Sequence, residues 1–69
     1  MLFTDISSER LVRALSKRGF WVVRVKKHIT VTDGSRLATI PRHKRINPYT
    51  LKAILKGAGI SEQEFQELI

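Results

Sequence analysis

The pair Asp33-Gly34 constrains the fold of this chain more than any other feature of its sequence. Asp-Gly is a preferred pair for the turn of a β-hairpin, because that turn needs residues that tolerate a positive φ. The segments on either side, residues 28–32 and 36–40, alternate and are rich in β-branched residues, as strands are. The sequence therefore predicts two antiparallel strands joined at Asp33-Gly34, the second ended by Pro41.

Helix and strand signals complete the fold. Residues 20–25 are aromatic and β-branched and predict a strand before a turn at Lys26-Lys27. Ser7 or Asp5 is placed to cap a first helix that ends near residue 18. Asn47, Ser61 and a 3.6-residue apolar repeat predict a second helix and a short last one. We therefore expect one α+β domain over residues 1–69, of order α-β-β-β-α plus a short C-terminal helix. Its three-stranded antiparallel sheet would be covered by helices on one face.

Charge indicates the class of partner. The 69 residues carry 13 Lys and Arg and 6 Asp and Glu, a net charge of +7. All the cations lie between residues 10 and 56, where Asp33 is the only acid. Such a segregated positive field attracts nucleic acid, anionic lipid or an acidic protein. A merely solvated surface is the alternative.

Several functional classes find no support in the residues. The chain has no cysteine, and it has no Gly-rich phosphate loop or acidic cluster for a divalent metal. No apolar run approaches the ~20 residues that span a bilayer, and no signal-peptide pattern is present. We expect a cytoplasmic protein without membrane, metal or small-molecule cofactor. A nuclease of this kind would act on RNA, because the 2′-OH of RNA is an internal nucleophile that DNA lacks.

His28 is the candidate catalytic residue. Histidine gives and takes protons near neutral pH, and His28 follows Lys26-Lys27 in a basic segment. We expect it to be a general acid or base, with nearby cations binding phosphate. The alternative is a strand-end histidine that only packs or hydrogen-bonds. The residues predicted to bind RNA are Arg24, Lys26, Lys27, Arg42, His43, Lys44, Arg45, Lys52 and Lys56.

Three further residues leave alternatives open. His43 either contacts phosphate or is solvated in its loop, and it permits an acid–base pair with His28 if the two lie close. Trp21 and Tyr49 are able to stack on bases. We expect Trp21 to pack against the sheet instead, which makes Tyr49, beside the basic loop, the better stacking candidate.

The sequence resembles the HicA-like toxins of bacterial and archaeal toxin–antitoxin systems over nearly its whole length, residues 7–68. The resemblance lies in Leu-Val-Arg-Ala-Leu at 11–15, Gly-Phe at 19–20, the basic segment up to His28, and Ile-Pro-Arg-His at 40–43. Leu-Lys-Ala-Ile-Leu-Lys-Gly-Ala-Gly-Ile at 51–60 and Glu-Phe at 64–65 continue it. The family's catalytic histidine follows a Gly-Ser pair, and His28 stands at that position. Lys26-Lys27 replaces Gly-Ser here, and Tyr49 replaces a small residue.

This resemblance implies a fold, an activity and a partner. The fold would be similar to a double-stranded-RNA-binding domain. The activity would be that of an mRNA interferase, a ribosome-independent endoribonuclease with His28 as its catalytic residue. A HicB-like protein antitoxin would mask it. The replacement of Gly-Ser supports an alternative, a non-catalytic RNA-binding module of the same fold.

Overall fold

The fold is a three-stranded sheet with helices on one side. The computed structural model describes residues 3–69. Its elements are α1 (Ser8–Lys17), β1 (Trp21–Val25), β2 (His28–Thr32), β3 (Leu37–Pro41), α2 (Pro48–Ala58) and α3 (Glu62–Leu68). The strands form one antiparallel sheet in the order β1-β2-β3. The predicted α+β order is confirmed.

Side-chain caps begin each helix where the sequence predicts. The Oγ atoms of Ser7 and Ser61 each accept a backbone N–H at 3.1 Å, and the Oδ1 atom of Asn47 accepts one at 2.8 Å. Such caps satisfy N–H groups that have no partner within the helix. Of the two candidates for α1, Ser7 is therefore the cap. At the end of α2, Gly59 has the left-handed φ of +73°.

The core lies between the sheet and the helices. Val31 of β2 and Ala38 and Ile40 of β3 are buried, whereas their neighbours along each strand are exposed or half-buried. Because strand side chains alternate between faces, one face of the sheet is covered. The helical residues buried against it are Leu11, Ala14, Leu15, Leu51, Ile54, Leu55, Ala58 and Phe65. We call this side of the sheet the inner face and the opposite side the outer face.

The hairpin between β2 and β3 forms at Asp33-Gly34 but has a loop of four residues, 33–36. Oδ1 of Asp33 accepts the N–H groups of Ser35 and Arg36 at 2.9 and 2.7 Å, and Gly34 has a φ of +96°. The side chain of Asp33 therefore closes the loop, as aspartate commonly does.

The end of β3 differs by one residue from the expected boundary. Pro41 was expected to follow the strand, but it is the last residue of β3 and is paired with His28. A strand at the edge of a sheet tolerates proline, since its missing N–H removes no inner hydrogen bond.

Candidate functional site

His28 lies on the outer face, at one end of the sheet. It is the first residue of β2 and is exposed. It shares a face with Thr30, because residues two apart in a strand point the same way, and Val31 points into the core. Its ring is therefore open to a ligand that approaches the uncovered side of the sheet.

The strand β1 brings one cation to the same face. Arg24 is paired with Thr30 of β2, and directly paired residues of antiparallel strands share a face. The register of β1 shifts at a bulge between Val22 and Arg24. Without the bulge, Val23 would pair with Thr30 and Arg24 with Ile29. Arg24 would then fall on the inner face, since a shift of one residue reverses every side chain.

His28 and Arg24 line one open groove of about 420 Å³, which we call the outer groove. The groove is bordered by four of the predicted site residues together with two threonines of β2 and β3. Its lining residues are Arg24, Lys26, Lys27, His28, Thr30 and Thr39. A histidine, three cations and two hydroxyl groups are the functional groups needed to bind a phosphodiester and transfer a proton.

Arg42, predicted to bind RNA, contacts the backbone of the turn before His28. Its Nη1 atom donates to the carbonyl oxygen of Lys26 at 3.0 Å. The N–H of Lys26 in turn donates to the carbonyl oxygen of His28 at 3.0 Å. Arg42 also lines a separate groove between α1 and the inner side of β1. Arg42 therefore contacts the backbone of the turn and is not among the residues that line the outer groove.

The loop after β3 is exposed and starts beside His28. The N–H of His43 donates to the carbonyl oxygen of Pro41, the partner of His28, and its own carbonyl accepts the N–H of Ser8, both at 3.0 Å. Lys44 is exposed. The Nε atom of Arg45 lies 2.9 Å from Oδ1 of Asp5, and both side chains are exposed. The loop is thus anchored through its backbone.

Lys52 and Lys56 do not join the groove. Both are on α2, which covers the inner face, and they border a depression of about 300 Å³ next to α3. The Nζ atom of Lys52 lies 4.0 Å from a carboxylate oxygen of Glu62. These two predicted RNA contacts face a different side of the molecule from His28.

The expectation for Trp21 was wrong. Its side chain is 52% exposed, and its pairing with Thr32 puts it on the outer face. Residues 20–23 are all apolar and do not alternate with polar residues, so the sequence does not indicate which face of the sheet Trp21 occupies. Tyr49, on the first turn of α2, is 70% exposed.

Among residues 3–69, no three His, Asp or Glu side chains are grouped as a metal site would require. Hydrogen bonds from the backbone N–H groups of Arg36 and Ser35 lower the pKa of the Asp33 carboxyl below its ordinary 3.8. Asp33 lies at the end of β2 opposite to His28. No helix within residues 3–69 has the length and apolarity to cross a membrane.

Comparison with known proteins gives one match. A family model described as the HicA toxin of bacterial toxin–antitoxin systems matches residues 8–60. That range runs from the first residue of α1 to just past the end of α2, so it includes the whole sheet and the outer groove. No curated protein and no solved structure matches the chain significantly.

Proposed function

We propose a function from one premise: this chain belongs to the HicA toxin family of bacterial toxin–antitoxin systems. The proposed activity is that of an endoribonuclease that cleaves mRNA in the cytoplasm, independently of metal and of the ribosome. The observation that carries the proposal is the outer groove, where exposed His28 lies among Arg24, Lys26 and Lys27.

The proposed reaction is an attack within the RNA chain. His28 acts as general base or general acid. In the first role it takes the proton of a 2′-OH, whose oxygen then bonds to the adjacent phosphorus. The bond from phosphorus to the 5′ oxygen breaks, and that oxygen takes up a proton. The products are a 2′,3′-cyclic phosphate and a 5′-hydroxyl end.

The cations of the groove supply the electrostatic part of this mechanism. Negative charge builds on the phosphate oxygens as the 2′ oxygen attacks, and positioned cations stabilise that charge. Lys26 and Lys27, which replace the Gly-Ser pair of the family pattern, would hold the phosphate by charge rather than by close approach of the backbone. The hydrogen bond from Arg42 to the carbonyl oxygen of Lys26 supports the backbone of the turn that carries both lysines.

Membership in a toxin family implies an antitoxin partner. We propose that it is HicB-like and covers the outer groove, which would exclude RNA from His28. A net charge of +7 favours an acidic covering surface, since complementary charge accelerates association and selects partners.

A second function, binding RNA without cleaving it, is favoured by Lys26-Lys27 at the usual Gly-Ser position. A binding module would attach to RNA through its cations, and its affinity would fall steeply with salt. It would leave the RNA intact.

One experiment separates the two functions. Purified wild-type protein and His28→Ala are incubated in EDTA with a long unstructured RNA, and the ends of the products are analysed. We expect cleavage by the wild type alone, with cyclic phosphate ends. His43→Ala is the matched control, because it removes the other histidine from an exposed loop at the same end of the sheet.

The outcomes assign the roles. A loss of cleavage in both variants would indicate a histidine pair. Full cleavage by His28→Ala would refute the catalytic role of His28. Intact RNA with a folded wild-type protein that binds it would establish the binding module.

A further inference from the structure

The outer face has a second feature at the end opposite to His28. Trp21, the only tryptophan of the chain, is half exposed there and belongs to no part of the core. Beside it, Leu37 of β3 is 65% exposed, opposite Thr32. A large aromatic ring left in solvent on an uncovered sheet is typical of a binding surface rather than of packing.

The hairpin loop supports the tryptophan ring. The Cη2 atom of Trp21 lies 3.7 Å from the point that a Cβ atom on Gly34 would occupy. The loop that carries Gly34 is closed by hydrogen bonds to Asp33 and Thr32. The end of the ring therefore lies next to this turn, at the edge of the outer face.

The surface between Trp21 and His28 suits a polyanion. Arg24, Thr30 and Thr39 line it, and the paired strand positions on this face carry no carboxylate in the described residues. From Thr32, opposite Trp21, to His28 is four residues along β2, or about 14 Å at ~3.4 Å per residue. That distance accommodates a few extended nucleotides.

We propose that Trp21 is a stacking platform for an unpaired base, so that single-stranded RNA lies along the outer face from Trp21 to His28. Aromatic side chains on an open sheet bind bases splayed out of single strands, whereas a duplex keeps its bases stacked inside. The inference rests on the proposed function and names the form of its substrate.

The single tryptophan provides the test. An unstructured 2′-O-methyl RNA, which lacks the attacking hydroxyl, is titrated into wild-type protein while tryptophan fluorescence is recorded. We expect saturable quenching with the single strand and none with the same strand annealed to its complement. Quenching reports contact at Trp21 whether or not the protein cleaves RNA.

Variants convert that contact into an affinity. One stacked base contributes roughly a 5- to 150-fold increase in binding, so Trp21→Ala should weaken binding of the single strand by that factor. Trp21→Phe keeps a ring and should stay within about threefold of the wild type. Tyr49, the stacking candidate that the sequence favours, lies on α2 and not on the outer face. Under the present proposal Tyr49→Ala should therefore leave the affinity unchanged.

Three results would overturn the inference: unquenched fluorescence at saturating RNA, equal affinity of Trp21→Ala and the wild type, or a loss confined to Tyr49→Ala. Each of them leaves the proposed cleavage by His28 standing. Absence of any RNA binding by the wild type would overturn both. If Trp21→Ala does not fold, quenching of the wild-type fluorescence by the single strand but not by the duplex still decides the question.

Discussion

The two faces of the sheet differ in what their residues do. On the inner face, Val31 and Ile40 are buried against the helices and have exposed fractions of 1% and 0%. On the outer face, His28 of β2 and Trp21 of the neighbouring strand β1 are exposed. Successive residues of one strand thus belong alternately to the core and to a surface that the described residues do not cover.

Because of this difference, neighbouring residues of one strand contribute either to stability or to ligand binding. Burial of apolar area stabilises the fold, so the inner residues are constrained by packing. Exposed residues of the outer face contribute little to folding, and their chemistry is available to a ligand. Substitutions on the inner face should therefore lower stability, whereas substitutions on the outer face should lower activity and leave stability nearly unchanged.

The largest effect is expected at His28. Replacement by Ala should lower the rate of RNA cleavage about 100- to 10,000-fold, the usual contribution of a general acid or base. Its stability should change by less than about 0.5 kcal/mol, because the side chain is exposed. Cleavage rates and urea unfolding of the same preparations check both parts. A folded His28→Ala that cleaves RNA at the wild-type rate would contradict the catalytic assignment, and a large loss of stability would contradict the exposed position of the side chain.

Ile40→Ala, on the inner face, should show the reverse. Ile40 is fully buried, and such a truncation costs about 2–5 kcal/mol, which includes the cavity it leaves. Thr39→Ala, one residue earlier and on the outer face, is the matched control and should change stability by at most about 0.5 kcal/mol. Urea unfolding measures the two variants. Equal losses would mean that the faces are wrongly assigned.

Gly59, at the end of α2, lies next to the side chain of Arg36 from the hairpin loop. Its φ of +73° is unfavourable for alanine, and a Cβ atom there would lie 2.7 Å from Cζ of Arg36. Gly59→Ala should therefore destabilise the fold by about 1–2 kcal/mol, the cost of left-handed backbone. Adding Arg36→Ala should recover only a small part, since the flexible end of Arg36 is able to move. Full recovery in the double variant would show that the clash, not the backbone, causes the loss.

The smallest effect is expected at Asp33. Its pKa is lowered in the folded state, so its ionised form stabilises the fold above the ordinary pKa of 3.8, and that contribution is lost as pH falls through the lowered value. Asp33→Asn should lack this part of the acid dependence. Thermal unfolding between neutral pH and the acid limit compares the two proteins. Parallel curves would show that ionisation of Asp33 does not stabilise the loop.

Local signals made most of the fold predictable. Ser7, Asn47 and Ser61 cap helices because their side chains reach N–H groups within the next three residues, an arrangement that the sequence contains by itself. Asp33-Gly34 identifies the hairpin for the same reason. These features depend on neighbours along the chain, so they can be predicted without knowledge of the tertiary structure.

The groove could be predicted only in part. His28 and its lysines are adjacent in sequence, but the bulge at Val23 decides that Arg24 and Trp21 share the outer face with them. Nothing in the residues 20–25 indicates that bulge. The position of Arg42 depends on the turn at Lys26, 16 residues earlier in the chain. That of Lys56 depends on α2, which packs on the inner face of the sheet. The sequence groups these cations by charge alone, whereas the packing of helices and strands places them at different sites of the molecule.

The decisive measurement uses a cleavage site mapped on RNA and an oligonucleotide that contains it. A single 2′-deoxy substitution is placed at the nucleotide whose 2′-OH would attack, and the wild type and His28→Ala are assayed in EDTA. We predict cleavage of the all-ribose oligonucleotide by the wild type and none of the substituted one, with His28→Ala inactive on both. Cleavage at the substituted site, or activity restored only by a divalent metal, would contradict the proposed chemistry of His28.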